Sequence, residues 1–272
     1  MEKRDLAVIM SLYINDRQGF VRESVESLLN QSYAAFDLYV ICDGPVGEDV
    51  DEYIGSLTDD RLHVVKRERN LGLACSLNEL LDVVLRKDYR YVARMDADDV
   101  CMPDRFLHQV GFMETHPQVD ICGGHIEEMM ENGDPRGVVE YPLDHAAMKR
   151  FFGRRNPLAH MSVLFRRSYF DKAGRYPTDT NKDEDTMFWL KGFLAGCVFA
   201  NLDERLARVR VNDDFYRRRN GFAKSWADLK NRCAIIRKLK LSPFDYLLAF
   251  GRFLFFSLPM PWLTQFAYRY LR

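Results

Sequence analysis

Residues 89–103 read YRYVARMDADDVCMP. A run dominated by apolar and aromatic residues, Tyr89 to Met95, feeds directly into three carboxylates, Asp96, Asp98 and Asp99. A buried strand that ends in adjacent negative charges has two readings. In one it is a polar turn, with Asp98 or Asp99 capping a helix that Pro103 opens. In the other the carboxylates hold something positive. Carboxylate-only clusters suit hard divalent ions, Mn2+ or Mg2+, which share their coordination with a substrate's phosphates. The cluster by itself does not choose between the two.

The surrounding pattern decides the fold class. Buried-strand patterns at 6–12 (LAVIMSL), 37–43 (DLYVICD), 62–66 (LHVVK), 89–96 and 119–127 (VDICGGHIE) alternate with helical ones. The helical patterns lie at 21–31, 48–57, 72–87 and 103–116; in the third, Leu73, Leu77, Leu80, Leu81 and Val84 share one face. Such alternation predicts an α/β fold, a largely parallel sheet with helices on both faces. In an open sheet of this kind the ligand site lies beyond the carboxyl ends of the strands. Ser11 and Tyr13, Asp43, and Asp96 all fall at such ends, so separate strands point to one crevice. The second half is less regular. It predicts a hairpin turn at 131–137, a strand at 160–167 and a helix at 184–196 closed by Gly196.

Charge divides the chain. From Arg205 onward there are fifteen Lys/Arg against four Asp/Glu, and the preceding residues carry an excess of acid; the whole chain nets −1. A basic amphipathic helix is expected at 222–240, followed by an aromatic, apolar end containing Pro259 and Pro261. That end is too short and too broken for the roughly 20 apolar residues of a membrane span. Lys/Arg mixed with Phe, Leu, Trp and Tyr instead suits an in-plane segment at an anionic membrane surface. A nucleic-acid partner is not expected, because no recognisable motif accompanies the charge. The six cysteines show no CxxC pair, which argues against a zinc site or disulfide framework and suits a reducing compartment. No GxGxxG follows the first strand, and Cys101 stands where an EF-hand needs glycine.

Several separated segments in order carry a resemblance: VIMSLYIND, VRESVESLLNQSY, LYVICDGP, RNLGLACSLNELL, YVARMDADDVCMPDR, NPLAHMSVLFRRS and DEDTMFWLKGFLAG. Together they resemble the family 2 glycosyltransferases over about residues 5–211. The resemblance implies the GT-A fold, with nucleotide-binding and acceptor halves (1–100 and 101–211) and a helical extension at 212–272. It implies a nucleotide-sugar donor, expected to be a UDP-sugar, and transfer with inversion. Ser11, Tyr13, Asp43 and Asn70 would line the nucleotide pocket, with Asp43 at the base. Asp96 and Asp98 would form the DxD element, Asp96 toward the ribose or metal and Asp98 on the metal, Mn2+ or Mg2+. Asp185 would be the catalytic base, with His160 and Glu184 on the acceptor side. Met161 stands where the family often has proline.

The bland readings remain beside these. Asp185 could simply belong to a helix N-terminus, with Asp183 as the cap. His160 could be a hydrogen-bonded structural histidine. For the whole protein, the resemblance implies a cytoplasmic enzyme, peripheral at the inner membrane face, that meets a lipid-diphosphate-linked glycan in surface polysaccharide biosynthesis. A sugar-phosphate nucleotidyltransferase would instead show a glycine-rich basic loop after the first strand, which SLYINDRQG does not. A non-catalytic sugar-nucleotide binder would have no use for Asp96, Asp98 and Asp185 together.

Overall fold

A computed structural model describes residues 4–180, 183–211 and 221–257. The elements in chain order are β1 (Leu6–Leu12), α1 (Gln18–Leu29), β2 (Phe36–Cys42), α2 (Glu48–Ser56), β3 (Leu62–Lys66) and α3 (Leu73–Val84). Then come β4 (Tyr91–Arg94), β5 (Val100–Cys101), α4 (Arg105–Thr115), β6 (Ile121–Met129), β7 (Pro135–Val139) and α5 (His145–Phe151). A 3-10 turn (His160–Ser162) precedes β8 (Leu164–Arg166), α6 (Arg167–Ala173), α7 (Glu184–Leu194) and β9 (Phe199–Arg210). The helices α8 (Phe222–Leu239) and α9 (Phe244–Ser257) close the described chain. Residues 216–220 of YRRRNG, and Pro259 and Pro261 with the rest of the end, lie outside the described residues.

One mixed sheet runs in the order β3-β2-β1-β4-β8-β6-β9-β5, with β7 paired to β6 as the predicted hairpin. The four strands β3, β2, β1 and β4 are parallel, and β8 enters antiparallel beside β4. Both faces of β1 are covered, which explains its unbroken apolar run. Ala7 and Ile9 join a core with Leu77, Leu80, Trp189 and Phe199; Leu6, Val8, Met10 and Leu12 join another with Val25, Val50, Ile54 and Phe106. The sheet is therefore sandwiched between helices, as the alternation predicted.

Three departures concern the second half. β9 is the longest strand, yet the sequence pattern gives no strand there: Asp203, Glu204 and Arg205 are exposed in its middle, where its register against β6 slips. The expected strand at 160–167 begins as the 3-10 turn and becomes β8 only at Leu164. Finally, α8 is built into the core, since Ile235 and Leu239 pack in the same cluster as Trp189. Part of the basic excess is also spent internally. Lys224 pairs with Asp183, Arg210 with Glu23, Arg205 and Arg208 with Glu127, and Arg232 and Arg252 with Asp228.

Candidate active site

The turn that follows β4 is suspended from α1. The Ser24 hydroxyl donates to the Asp96 carbonyl at 2.8 Å, and the Ser27 hydroxyl accepts from the Cys101 amide at 2.9 Å. Neither Asp98 nor Asp99 caps α4, whose N-cap position is Asp104 with no side-chain bond. Asp99 is buried and accepts from the Arg210 amide at 2.8 Å, tying the turn to the end of β9. Burial, with the charges of Asp98 and Asp96, pushes its carboxyl well above the ordinary range.

The last residue of β4, Arg94, is 2 % exposed and donates to both carboxylate oxygens of Asp96. Asp96 is thus a paired carboxylate. Asp98 opens to the crevice without such a partner; desolvation and the Asp96 charge push it up to about 6. Sequence reasoning missed a fourth carboxylate. Asp16, in the turn after β1, accepts from the Tyr13 amide at 2.8 Å. Burial pushes it up to about 7; the Tyr13 amide opposes this, and the charges of Asp98 and Asp96 add to it.

On the other side of β1, the Asp43 amide donates to the Leu12 carbonyl at 2.7 Å, which joins two of the predicted strand ends. The Asp43 carboxylate is 3 % exposed and accepts from Arg67 Nη1 and the Leu71 amide at 2.8 Å and from the Gly72 amide at 2.9 Å. It therefore shapes the 67–72 loop. Gly44 is required here. Its φ is +82°, and a Cβ would lie 2.7 Å from the Asn70 amide nitrogen. Ser11 is half-buried, while Tyr13 and Asn70 are exposed at the rim.

Asp185 sits in the first turn of α7. Its Oδ1 accepts from the Thr186 amide at 2.6 Å and its Oδ2 from Asn156 Nδ2 at 3.0 Å. Burial raises its pKa above the ordinary carboxylate value, outweighing the positive end of the helix, which favours the ionised form. Burial likewise raises Glu184, and the Asp185 charge adds to it. Asp183 makes no side-chain cap; it binds Lys224 and Asn231 of α8 instead. His160 Nε2 lies 2.9 Å from the Tyr176 hydroxyl, and burial followed by the Arg94 charge holds its pKa well below the usual value. It is therefore a neutral, hydrogen-bonded ring.

Arg94 links the halves. Its charge acts on Asp96, Asp98 and Asp99 on one side and on Glu184, Asp185, His160 and Tyr176 on the other. Asp16, Arg94 and Asn156 are the site residues that sequence reasoning left out.

Among the described residues, no group of three or more His, Cys, Asp or Glu encloses a metal by itself. The donors at Asp98 are nonetheless all oxygen, and burial makes their charge costly. That fits a hard divalent ion whose remaining ligands come from a diphosphate.

Comparison with known proteins adds a second line. The family model "Glycosyl transferase family 2" matches residues 7–174, and "Glycosyl transferase family group 2" matches 91–272. The chain is 36% identical to an uncharacterized glycosyltransferase of Haemophilus influenzae, over 90% of this chain and 92% of that one. It is 34% identical to the amylovoran biosynthesis glycosyltransferase AmsE of Erwinia amylovora, over 87% and 85%. It is 25% identical, over 89% and 87%, to the UDP-Gal:alpha-D-GlcNAc-diphosphoundecaprenol beta-1,3-galactosyltransferase of Escherichia coli. Among solved structures, the mannosyltransferase PcManGT from Pyrobaculum calidifontis, in complex with GDP-Man and Mn2+, superposes with a TM-score of 0.64 at 16% identity, over 98% of this chain and 74% of that one. S. aureus TarS in complex with UDP gives 0.62 at 20%, over 94% and 72%. Both share the curled, helix-flanked sheet.

Proposed function

Since the chain belongs to glycosyl transferase family 2 and is a glycosyltransferase, we propose that it moves a sugar from a UDP-sugar to a hydroxyl of a lipid-diphosphate-linked glycan, with inversion, in surface polysaccharide biosynthesis. The observation that carries this reading is a pair of held carboxylates, Asp96 bonded through both oxygens to the buried Arg94 and Asp185 held by Asn156 and the Thr186 amide. The Arg94 charge, which acts on Asp185 as well as on Asp96, supports a donor side and a base side in one crevice. The relatives named for amylovoran synthesis and for a UDP-Gal donor with a diphosphoundecaprenol acceptor support the substrate class.

Asp98, with Asp96 beside it, would hold Mn2+ or Mg2+. Such an ion supplies charge stabilisation to a leaving diphosphate without proton transfer. Asp96, held by Arg94, would present a fixed carboxylate toward the ribose. The rim formed by Ser11, Tyr13 and Asn70 would receive the nucleotide, over a floor that Asp43 keeps in shape. Asp185 would take the proton from the attacking hydroxyl. Its raised pKa suits that role, because a carboxylate of ordinary pKa is a weak base at neutral pH. Asn156 and the Thr186 amide keep it oriented.

The C-terminal helices would bring the enzyme to the membrane. Leu247, Phe250 and Leu254 share one face of α9 and are more than half exposed, and Lys230, Arg237, Lys238 and Lys240 are exposed on and beside α8. Each basic side chain near an anionic surface contributes about 1 kcal/mol, enough in sum for reversible binding. Among the described residues, no helix is long and apolar enough to cross a membrane. Titration calorimetry with UDP in the presence and absence of Mn2+ tests the donor half of the proposal. Metal-dependent binding is expected, and heats that are absent under both conditions would refute it.

A further inference from the structure

Asn156 lies in the loop after α5, yet it touches two distant elements. Its Nδ2 donates to Asp185 Oδ2 at 3.0 Å, and its Oδ1 accepts from Arg232 Nη2 at 3.1 Å. We propose that Arg232 and Asn156 form a relay that orients the Asp185 carboxylate, so that α8 is a positioning element of the transfer reaction. The proposal rests on the reading of Asp185 as the base.

A guanidinium carries donors only, and a side-chain amide has one donor end and one acceptor end. Arg232 therefore fixes which way Asn156 points. Its oxygen must face the guanidinium, and its NH2 must face Asp185. A flipped amide would set donor against donor on one side and oxygen against carboxylate on the other. The NH2 group in turn favours the ionised form of Asp185, because an ionised carboxylate only accepts.

Arg232 is placed firmly enough to do this. It is 5 % exposed, donates to the Phe152 carbonyl at 2.9 Å and lies 3.5 Å from Asp228. Burying an arginine is costly, and hydrophobic residues of similar volume often do as well for stability. Here its donors converge on residues 152–156, the segment that presents Asn156. The same helix holds the residue before α7 as well, through Lys224 to Asp183 at 2.8 Å and Asn231 to Asp183 at 2.9 Å. So α8 grips the N-terminal turn of α7 at two points, one of them the candidate base. With Oδ1 on the Thr186 amide and Oδ2 on Asn156, the carboxylate's roughly four lone-pair sites leave room for an acceptor hydroxyl; the single Thr186 hydroxyl proton lies nearer Asn156 Oδ1, at 3.1 Å, than Asp185 Oδ1, at 3.3 Å.

The charged and titratable groups facing Asp185 are Asp183 and Glu184 at the start of its own helix, Arg94 from β4, Tyr176 after α6, and Arg232 from α8. Removing Arg232 leaves Arg94, and Lys224 on Asp183, to oppose the two acidic neighbours, and frees the amide to turn.

The test uses the full chain with carbon-13 in the aspartate carboxyls. The Asp185 signal is identified by its loss in Asp185→Asn and titrated against pH. In parallel, kcat and KM are read as UDP release from UDP-galactose, UDP-glucose and UDP-N-acetylglucosamine with Mn2+ and a lipid-diphosphate-linked N-acetylglucosamine acceptor. Arg232→Met should raise the Asp185 midpoint by about one pH unit, as loss of a nearby charge and its bonded amide does. It should move the acidic limb of kcat by the same amount and lower kcat about tenfold, with KM for the donor within about twofold. Arg232→Lys should restore part of both effects. Asn156→Asp keeps Arg232 paired and sets a second carboxylate against Asp185, so it should raise the midpoint further; it decides the matter if Arg232→Met does not fold. An Asp185 titration unchanged in the folded variants would overturn the relay. If the wild-type protein releases no UDP from any donor, the transfer reading fails, while the carboxyl titration still reports on the relay.

Discussion

Asp98→Asn separates a binding carboxylate from a structural one. In the protein, desolvation and the neighbouring Asp96 charge move Asp98 from an ordinary 3.8 to about 6. Two pH units correspond to about 3 kcal/mol of disfavoured anion. Asp98 opens to the crevice, so solvent screening trims the effect on stability to about 1 kcal/mol. The sign follows from the direction of the shift. A carboxyl raised on folding costs nothing below about pH 3, where it is protonated in both states. Its cost is complete above about pH 6. In metal-free buffer at pH 7.5 the asparagine variant should therefore melt higher, by about 2 °C for a chain of this size. At pH 3 the gain should vanish. The same variant should lose Mn2+-dependent UDP binding, so it becomes more stable and inactive together. Scanning fluorimetry at the two pH values and calorimetry with UDP and Mn2+ read both effects. A variant that melts lower at pH 7.5, or that keeps its metal-dependent affinity, would remove Asp98 from the metal site.

Other outcomes are equally definite. Asp185→Asn should keep UDP binding and slow transfer by roughly 10²–10⁴-fold; wild-type turnover would place the base elsewhere, with Glu184 the next residue to try. In the wild-type enzyme the raised Asp185 pKa should put the acidic limb of kcat above the ordinary carboxylate range, with activity lost as pH falls through it; a limb near pH 4 would contradict this. Gly44→Ala meets both a φ of +82° and the Asn70 backbone, so it should lower the melting temperature by several degrees and weaken UDP binding; a neutral effect by fluorimetry and calorimetry would show that the turn yields. Replacing Leu247, Phe250 and Leu254 with Gln should reduce sedimentation with anionic vesicles at low salt while UDP affinity persists; unchanged sedimentation would remove this face from the membrane contact.

How far the sequence carried the fold depends on where the information lies. β1, β2 and β4 were legible because both faces are covered, so each strand is a largely apolar run ended by a turn. β9 was not, because its register slips where Asp203 to Arg205 face solvent, and the slip erases the pattern. The strand-end carboxylates were legible because sheet topology alone brings them together. Asp16 could have been found by the same rule, since it lies in the turn after β1. Arg94 had a signal too: a charge inside a buried run, two residues before an aspartate. Asn156 and Arg232 had none. They lie 76 positions apart in sequence, and only the packing of α8 against the loop after α5 makes them neighbours. A count of charges also cannot show that Lys224 and Arg210 are paired with Asp183 and Glu23.

Sugar transfer from a nucleotide in this crevice, with Asp185 as base, has a direct test. The most direct measurement is transfer of radiolabelled sugar from UDP-galactose, UDP-glucose and UDP-N-acetylglucosamine into a lipid-diphosphate-linked acceptor, with Mn2+ present. Wild-type protein and Asp185→Asn are run side by side. Labelled lipid formed by the wild-type protein, and nearly none by a variant that still binds UDP, is the predicted result. Equal labelling by the two proteins would contradict it.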